Sequence, residues 1–276
     1  MKKVLILIFV PLMYLGIANA CPGNCSVIWD NFHPGQVNDR NDHGGRTNCN
    51  PWESIHWNDN NSVTIKYLGR PNKKSNTCYV KTGKILAGKN GQPIPHGYLT
   101  ADISFKADKA DDYVWPAFWL SGDDPSGKKE WPASGEIDIA EHIYSNTLAH
   151  LIGYPDRKLV FNPKYMSELK WPDYIGLNTA DKKNHAYGME WKYKPDTKLT
   201  LIFYYDEAPI GELTATRWKN ETETNVFNAF SKNWYEVIFD SDRNDSAWTA
   251  SGKKNDPTPW LKSSITVSDV KVYEIK

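Results

Sequence analysis

Basic runs, helical periodicity and cysteine pairs at metal-site spacing are all missing from this 276-residue chain. Its 33 Lys and Arg balance 33 Asp and Glu with no stripe of either sign. Nucleic acid is therefore not an expected partner, and a strongly sulfated polyanion is disfavoured. Apolar residues do not recur at spacings of three and four over any helix-length stretch, which excludes a helical bundle or coiled coil. The four cysteines, Cys21, Cys25, Cys49 and Cys78, include no C-x-x-C and do not have zinc spacing. No catalytic thiol, metal or cofactor is expected.

The one long apolar run lies at the N-terminus. Lys2-Lys3, then "VLILIFVPLMYLGI", then "ANA" before Cys21 has the layout of a secretory signal peptide over residues 1–20. A membrane anchor is the alternative, but the run is short for a span and contains Pro11. Lipid attachment at Cys21 is another; bacterial lipoproteins usually carry Leu three places earlier, where this chain has Ala18. The expectation is a secreted or periplasmic monomer with no membrane contact after cleavage. Removing 20 residues from 276 leaves 256, which one β-sandwich domain (21–276) can account for. In an exported chain the cysteines predict disulfides, with Cys21–Cys25 and Cys49–Cys78 the expected pairs among three connectivities.

What the chain does have is aromatics and short alternating runs. It carries 12 Trp and 15 Tyr, many beside Pro, Gly, Asn or Asp. Some fill a core, but indoles also suit the C–H faces of sugar rings. In "YLTADISFKA" the residues Leu99, Ala101, Ile103, Phe105 and Ala107 share one face. Strands are also predicted in "SVTIKYL", "TCYVKTGKILAG", "VWPAFWL", "GEIDIAEHI", "TLAHLIGY", "HAYGMEWKY", "KLTLIFYYD", "YEVIFD" and "DVKVYEIK". "KLTLIFYYD" is apolar on both faces, as in a strand between two layers. Residues 34–62 and 240–259 read as long loops. The fold class is all-β, a sandwich or barrel.

One strand stands apart. "WPASGEIDIAEH" places Glu136, Asp138 and Glu141 on an apolar segment, where burying several carboxylates is costly unless chemistry requires them. Glu136 and Asp138 share a face, but Glu141 is five positions from Glu136 and has the wrong parity. A β-bulge at Ile139 or Ala140 would return Glu141 to that face. Paired carboxylates on one face suit glycoside hydrolysis, with one group protonated and one ionised. A calcium site or an exposed acidic face is the alternative; calcium takes its ligands mostly from loops.

"GEIDIAEH" resembles the E-x-D-x-x-E signature of glycoside hydrolase family 16, in the bulged form of its laminarinase-like members. "GYLTADISFKA", "VWPAFWL", "HAYGMEWKYKPD", "LIFYYDE" and "VSDVKVYE" resemble other family segments in family order, over most of residues 76–276. The resemblance implies a β-jelly-roll of two antiparallel sheets with a concave cleft for a polysaccharide, and retention of anomeric configuration. It implies that Glu136 is the nucleophile, Asp138 the assisting aspartate and Glu141 the acid/base. Trp115, Trp119 and Trp131 match positions that line or support the sugar subsites, and at least one is expected in the core. His150 matches a histidine near the cleavage point, or is a satisfied sheet histidine.

The chain departs from the family in two places. "NAFSKNWYEVIFDSDRNDSAW" replaces the usual Asn-x-Ala strand and Gly-Gly-x-Trp loop. Ser268 stands where many members have an Asp that binds structural calcium. The expected activity is endo-cleavage of β-1,3 or mixed β-1,3/1,4 glucan. A galactan substrate such as agar or carrageenan, transglycosylation, or a non-catalytic carbohydrate-binding sandwich are the other readings. The three retained carboxylates argue against the last.

Overall fold

The computed structural model describes residues 21–37, 54–59, 61–69, 79–107, 114–143, 146–152, 166–170, 184–243 and 261–276. These form two antiparallel sheets packed as a jelly-roll sandwich. The eight-stranded sheet runs β12 (Ala208–Thr216), β11 (Lys198–Tyr205), β10 (His185–Lys194), β5 (His96–Ala107), β14 (Leu261–Ile275), β3 (Ser62–Gly69) and β2 (Ile55–Asp59), with β1 (Cys25–Trp29) paired to β14. The six-stranded sheet runs β4 (Tyr79–Lys81), β13 (Tyr235–Arg243), β6 (Val114–Gly122), β7 (Glu136–Ile143), β8 (Asn146–Ile152) and β9 (Met166–Lys170). A helix, α1 (Glu221–Ser231), connects β12 to β13.

Period-two alternation builds the core. Leu99, Ala101, Ile103 and Phe105 are buried together on one face of β5, as their spacing predicts. They meet Phe118 and Leu120 of β6, Ile137 of β7 and Val237 and Phe239 of β13 in one cluster. Phe118 stacks on Phe239 with ring centroids 4.7 Å apart. Trp191 is completely buried, and its indole N–H donates to the Ile94 carbonyl at 2.8 Å. Gly97 lies under that ring: a Cβ there would come within 2.2 Å of it. Glycine is required at this contact because the indole fills the space of a side chain.

Several predicted features differ. "KLTLIFYYD" is covered unevenly on its two sides; β11 buries Leu199, Leu201 and Phe203 inward, while on its other side Tyr204 is buried and Ile202 only half-buried. The predicted loop 34–62 contains β2, and β13 runs four residues into the predicted loop 240–259. Among the described residues of "TCYVKTGKILAG", Tyr79–Lys81 form a strand and 82–88 do not. The helix α1 is an element that was not predicted within the all-β fold. Asn220 caps it: its Oδ1 accepts from Glu223 N at 2.8 Å and its Nδ2 donates to Glu223 Oε1 at 3.1 Å. The cap satisfies one backbone donor that a helix start otherwise leaves open, and the side-chain bond holds the capping amide in place. Val226, Phe227 and Phe230 then face the core.

The Cys21–Cys25 disulfide is present. Cys49 and Cys78 lie outside the described residues, as does the predicted signal segment 1–20. No described helix is long and apolar enough to cross a membrane.

Candidate active site

The site is built on the face of the six-stranded sheet turned away from the core. In β7 Ile137 points into the core, so Glu136 and Asp138 point the other way. The odd offset of Glu141 is resolved by a register shift. Asp138 pairs with His150 and Glu141 with Leu148, so Ile139 and Ala140 together oppose one residue of β8. Against β6, Trp119 pairs with Asp138 and Phe118 with Ala140, which places the extra residue at Ile139. Ile139 and Ala140 are both fully buried, and Glu141 resumes the outward face.

All three carboxylates are withdrawn from water, Glu136 at 6%, Asp138 at 1% and Glu141 at 6% exposure. On a face that points away from the core, such low exposure means that neighbouring side chains wall them in. Burial pushes the Asp138 carboxyl well above the usual range, and the charges of Glu141 and then Glu136 push it further, with Asp240 adding to this. Asp138 also shares a hydrogen bond with Glu136. The middle carboxyl is therefore the one held protonated, and its proton is placed to serve Glu136. The family resemblance gives Glu141 the acid/base role; the structure adds that burial, and then the flanking charges of Glu141 and Glu136, raise the pKa of Asp138 between the two glutamates.

A fourth buried carboxylate shows why this cluster is unusual. Glu190, on the eight-stranded sheet, is paired with His96 Nε2 at 2.7 Å, Lys192 Nζ at 3.0 Å and the Tyr204 hydroxyl at 2.5 Å. Burial raises its pKa, but these donors outweigh that and hold it below the usual range. Glu190 is flanked by donors, whereas the β7 cluster brings three carboxyl groups together. Only the second arrangement needs a chemical reason.

The other sequence-predicted residues separate. The Trp131 indole N–H donates to Glu136 Oε2, while 43% of that residue stays exposed. Trp119 lies on the same face, directly across from Asp138, and its indole N–H donates to Asp240 Oδ2 at 3.0 Å. Trp115 has the parity of Trp119 on β6, and His150 is the backbone partner of Asp138; the side chains of both lie outside the described set. Of the tryptophans whose side chains are described, neither Trp119 nor Trp131 lies in the core.

Sequence reasoning missed two residues of this region. Asp240 on β13 and Glu141 on β7 both pair with Ala117 of β6, so only a methyl group separates their strands on this face. Tyr235 lies fully buried beneath the site, where desolvation and then the charges of Glu136 and Asp138 raise its phenol pKa. Parity within "YEVIFD" could have placed Asp240 on an outward face, but not beside the carboxylates.

Among the described residues no cluster of His, Cys, Asp or Glu is arranged to hold a metal ion. Near the position of Ser268, Asp269 Oδ1 is engaged by Lys271 Nζ at 2.5 Å.

No family model matches the chain. The α subunit of clotting factor G from Tachypleus tridentatus is 31% identical over 86 residues, which cover 28% of this chain and 10% of that protein. The endo-1,3-β-glucanase of Streptomyces sioyaensis superposes with a TM-score of 0.60 at 19% identity, over 94% of this chain and 99% of its own. A glycoside hydrolase family 16 endo-glucanase from Bacteroides ovatus gives 0.53 at 16% identity, over 90% and 93%. The chain is similar in fold to solved glucanases of this family along nearly its whole length.

Proposed function

We propose that this chain is an exported member of glycoside hydrolase family 16, an endo-acting, retaining enzyme that cuts β-1,3 or mixed β-1,3/1,4 glucan. One observation carries the reading: a register shift at Ile139 puts three buried, mutually repelling carboxylates on one face. Such a cluster destabilises the fold and is explained by chemistry that needs both an ionised and a protonated carboxyl.

In this mechanism Glu136 attacks the anomeric carbon and forms a glycosyl ester while Glu141 protonates the departing oxygen. Glu141 then removes a proton from water, which displaces Glu136 and restores the starting configuration. Asp138, held neutral, donates to Glu136 and releases it as charge develops on the sugar. The Trp131 N–H holds the other side of the Glu136 carboxylate. Exposed indole surface on Trp131 supplies a platform for a sugar ring.

The test is a screen of the purified mature protein on laminarin, lichenan, agarose and carrageenan, reading reducing ends and the anomer first released. The expected result is glucan cleavage with a β-anomer as initial product, abolished in a folded Glu136→Ala variant. Cleavage of agarose or carrageenan alone would move the substrate to a galactan. An α-anomer, or an alanine variant at full rate, would sink the mechanism.

A further inference from the structure

The loop between β6 and β7, residues 123–135, carries Trp131 and is fastened at both ends of its last turn to helix α1. At one end Lys129 Nζ donates to Asn225 Oδ1, while Lys129 N donates to Asp124 Oδ2 at 3.1 Å. Asp124 Oδ1 in turn accepts from Ser126 N at 2.9 Å and Ser126 Oγ at 2.7 Å. At the other end Gly135 has φ +89 and abuts the helix backbone; a Cβ there would lie 3.2 Å from Asn225 O and 3.2 Å from Val226 Cα. Between these ends Ser134 N donates to Glu130 O at 3.1 Å and Gly135 N to Pro132 O at 2.9 Å, closing a compact turn.

Trp131 sits in that turn. With 43% of its surface in water, it is not locked by core packing, and the direction of its indole depends on the turn that carries it. Asn225 is the opposite case, only 2% exposed and on a helix fixed by its cap and by Val226, Phe227 and Phe230. A rigid, buried amide thus grips a cationic side chain two residues before an exposed indole that donates to Glu136.

We infer that Asn225 is a positioning residue for the proposed hydrolysis, holding the Trp131 indole against Glu136 through Lys129 and the turn 130–135. The inference rests on the reading of Glu136 as nucleophile. It gives α1 a role in the site, although the helix contributes no group that reaches the reacting atoms. Small displacements of such supports are costly in rate because the nucleophile must meet the anomeric carbon in one geometry.

The experiment is a double-mutant cycle on the mature protein with laminarin as substrate, joined to the indole 15N–1H spectrum. Asn225→Ala should lower kcat about tenfold with KM little changed. Trp131→Phe should do the same, and the double variant should be no slower than the slower single one, because both remove the same support. Asn225→Asp keeps an oxygen for Lys129 and should stay near the wild-type rate. The Trp131 indole resonance, assigned by its loss in Trp131→Phe, should move in Asn225→Ala and not in Asn225→Asp. Multiplying rate losses, or an unmoved resonance, would overturn the inference and show Asn225 to be structural only. A wild type that cleaves no polysaccharide, with the resonance still moving in Asn225→Ala, would overturn the proposed reaction instead.

Discussion

Asp138→Asn should make the protein more stable at neutral pH, and the gain should vanish in acid. Asp138 is 1% exposed, and desolvation, then Glu141, then Glu136 raise its pKa well above 3.8. In the unfolded chain the same carboxyl ionises near its ordinary 3.8. Below that value both states are protonated and Asp138 imposes no penalty. As pH rises, the unfolded state loses its proton first and is favoured, so the folded state is progressively destabilised. The loss stops growing only when pH passes the raised, folded pKa. Each unit separating the two values costs about 1.4 kcal/mol. For a domain of this size that is roughly 3–6 °C in Tm per unit. Asparagine has nearly the same shape, keeps an N–H for Glu136 and cannot ionise, so it removes the penalty. The assay is thermal unfolding of both proteins from pH 3 to 8. The difference should be near zero at the acid end and grow in favour of asparagine toward neutrality, while hydrolysis falls because asparagine cannot exchange a proton with Glu136. A difference independent of pH, or a less stable asparagine variant at pH 7, would refute the assignment of the proton to Asp138.

Gly97→Ala should destabilise by about 2 kcal/mol or more, read as a lower denaturant midpoint, because its methyl would sit 2.2 Å from the Trp191 ring. Deleting Ala140 should leave the pairs Asp138–His150 and Glu141–Leu148 in place, since Ile139 would then face Ala149 alone in a regular ladder. That variant is expected to fold with reduced but measurable activity, whereas an alanine inserted after Ala140 should turn Glu141 toward the core side and abolish it. Equal rates in the two would show that strand parity does not position the acid. Thiol titration of the denatured, unreduced mature protein should find at most two free cysteines, because Cys21 and Cys25 are joined; four would contradict the redox argument.

How far the sequence leads depends on whether a feature is local. The strands of the core were legible because burial on one side of a pleated ribbon leaves period-two alternation, as in Leu99, Ala101, Ile103 and Phe105. The helix α1 was not, because its apolar residues cluster as Val226, Phe227 and Phe230 rather than along a long stripe. Its start was nonetheless written in Asn220-Glu221-Thr222-Glu223, a capping pattern that parity arguments overlook. The outer side of β11, with Tyr204 buried and Ile202 half-buried, was only partly legible, because hydrophobic side chains near a sheet edge look the same in sequence as those between two layers.

The site divides along the same line. That Glu136, Asp138 and Glu141 could share a face only through an extra residue followed from counting positions along one strand. Which residue is extra depends on the partners of β7, and those come from β6 and β8, distant in sequence or paired in a register that no local pattern encodes. The Asp138 pKa is raised because the fold buries that carboxyl and then because Glu141, Glu136 and Asp240 surround it in space. Asp240 and Asn225 reach the region from beyond residue 220, where they accept from Trp119 and from Lys129. The chain alone determined the fold class and the carboxylates, through periodicity and composition. Tertiary structure decided where the bulge lies and which groups surround Asp138 and Lys129, because those depend on contacts between segments that the sequence keeps apart.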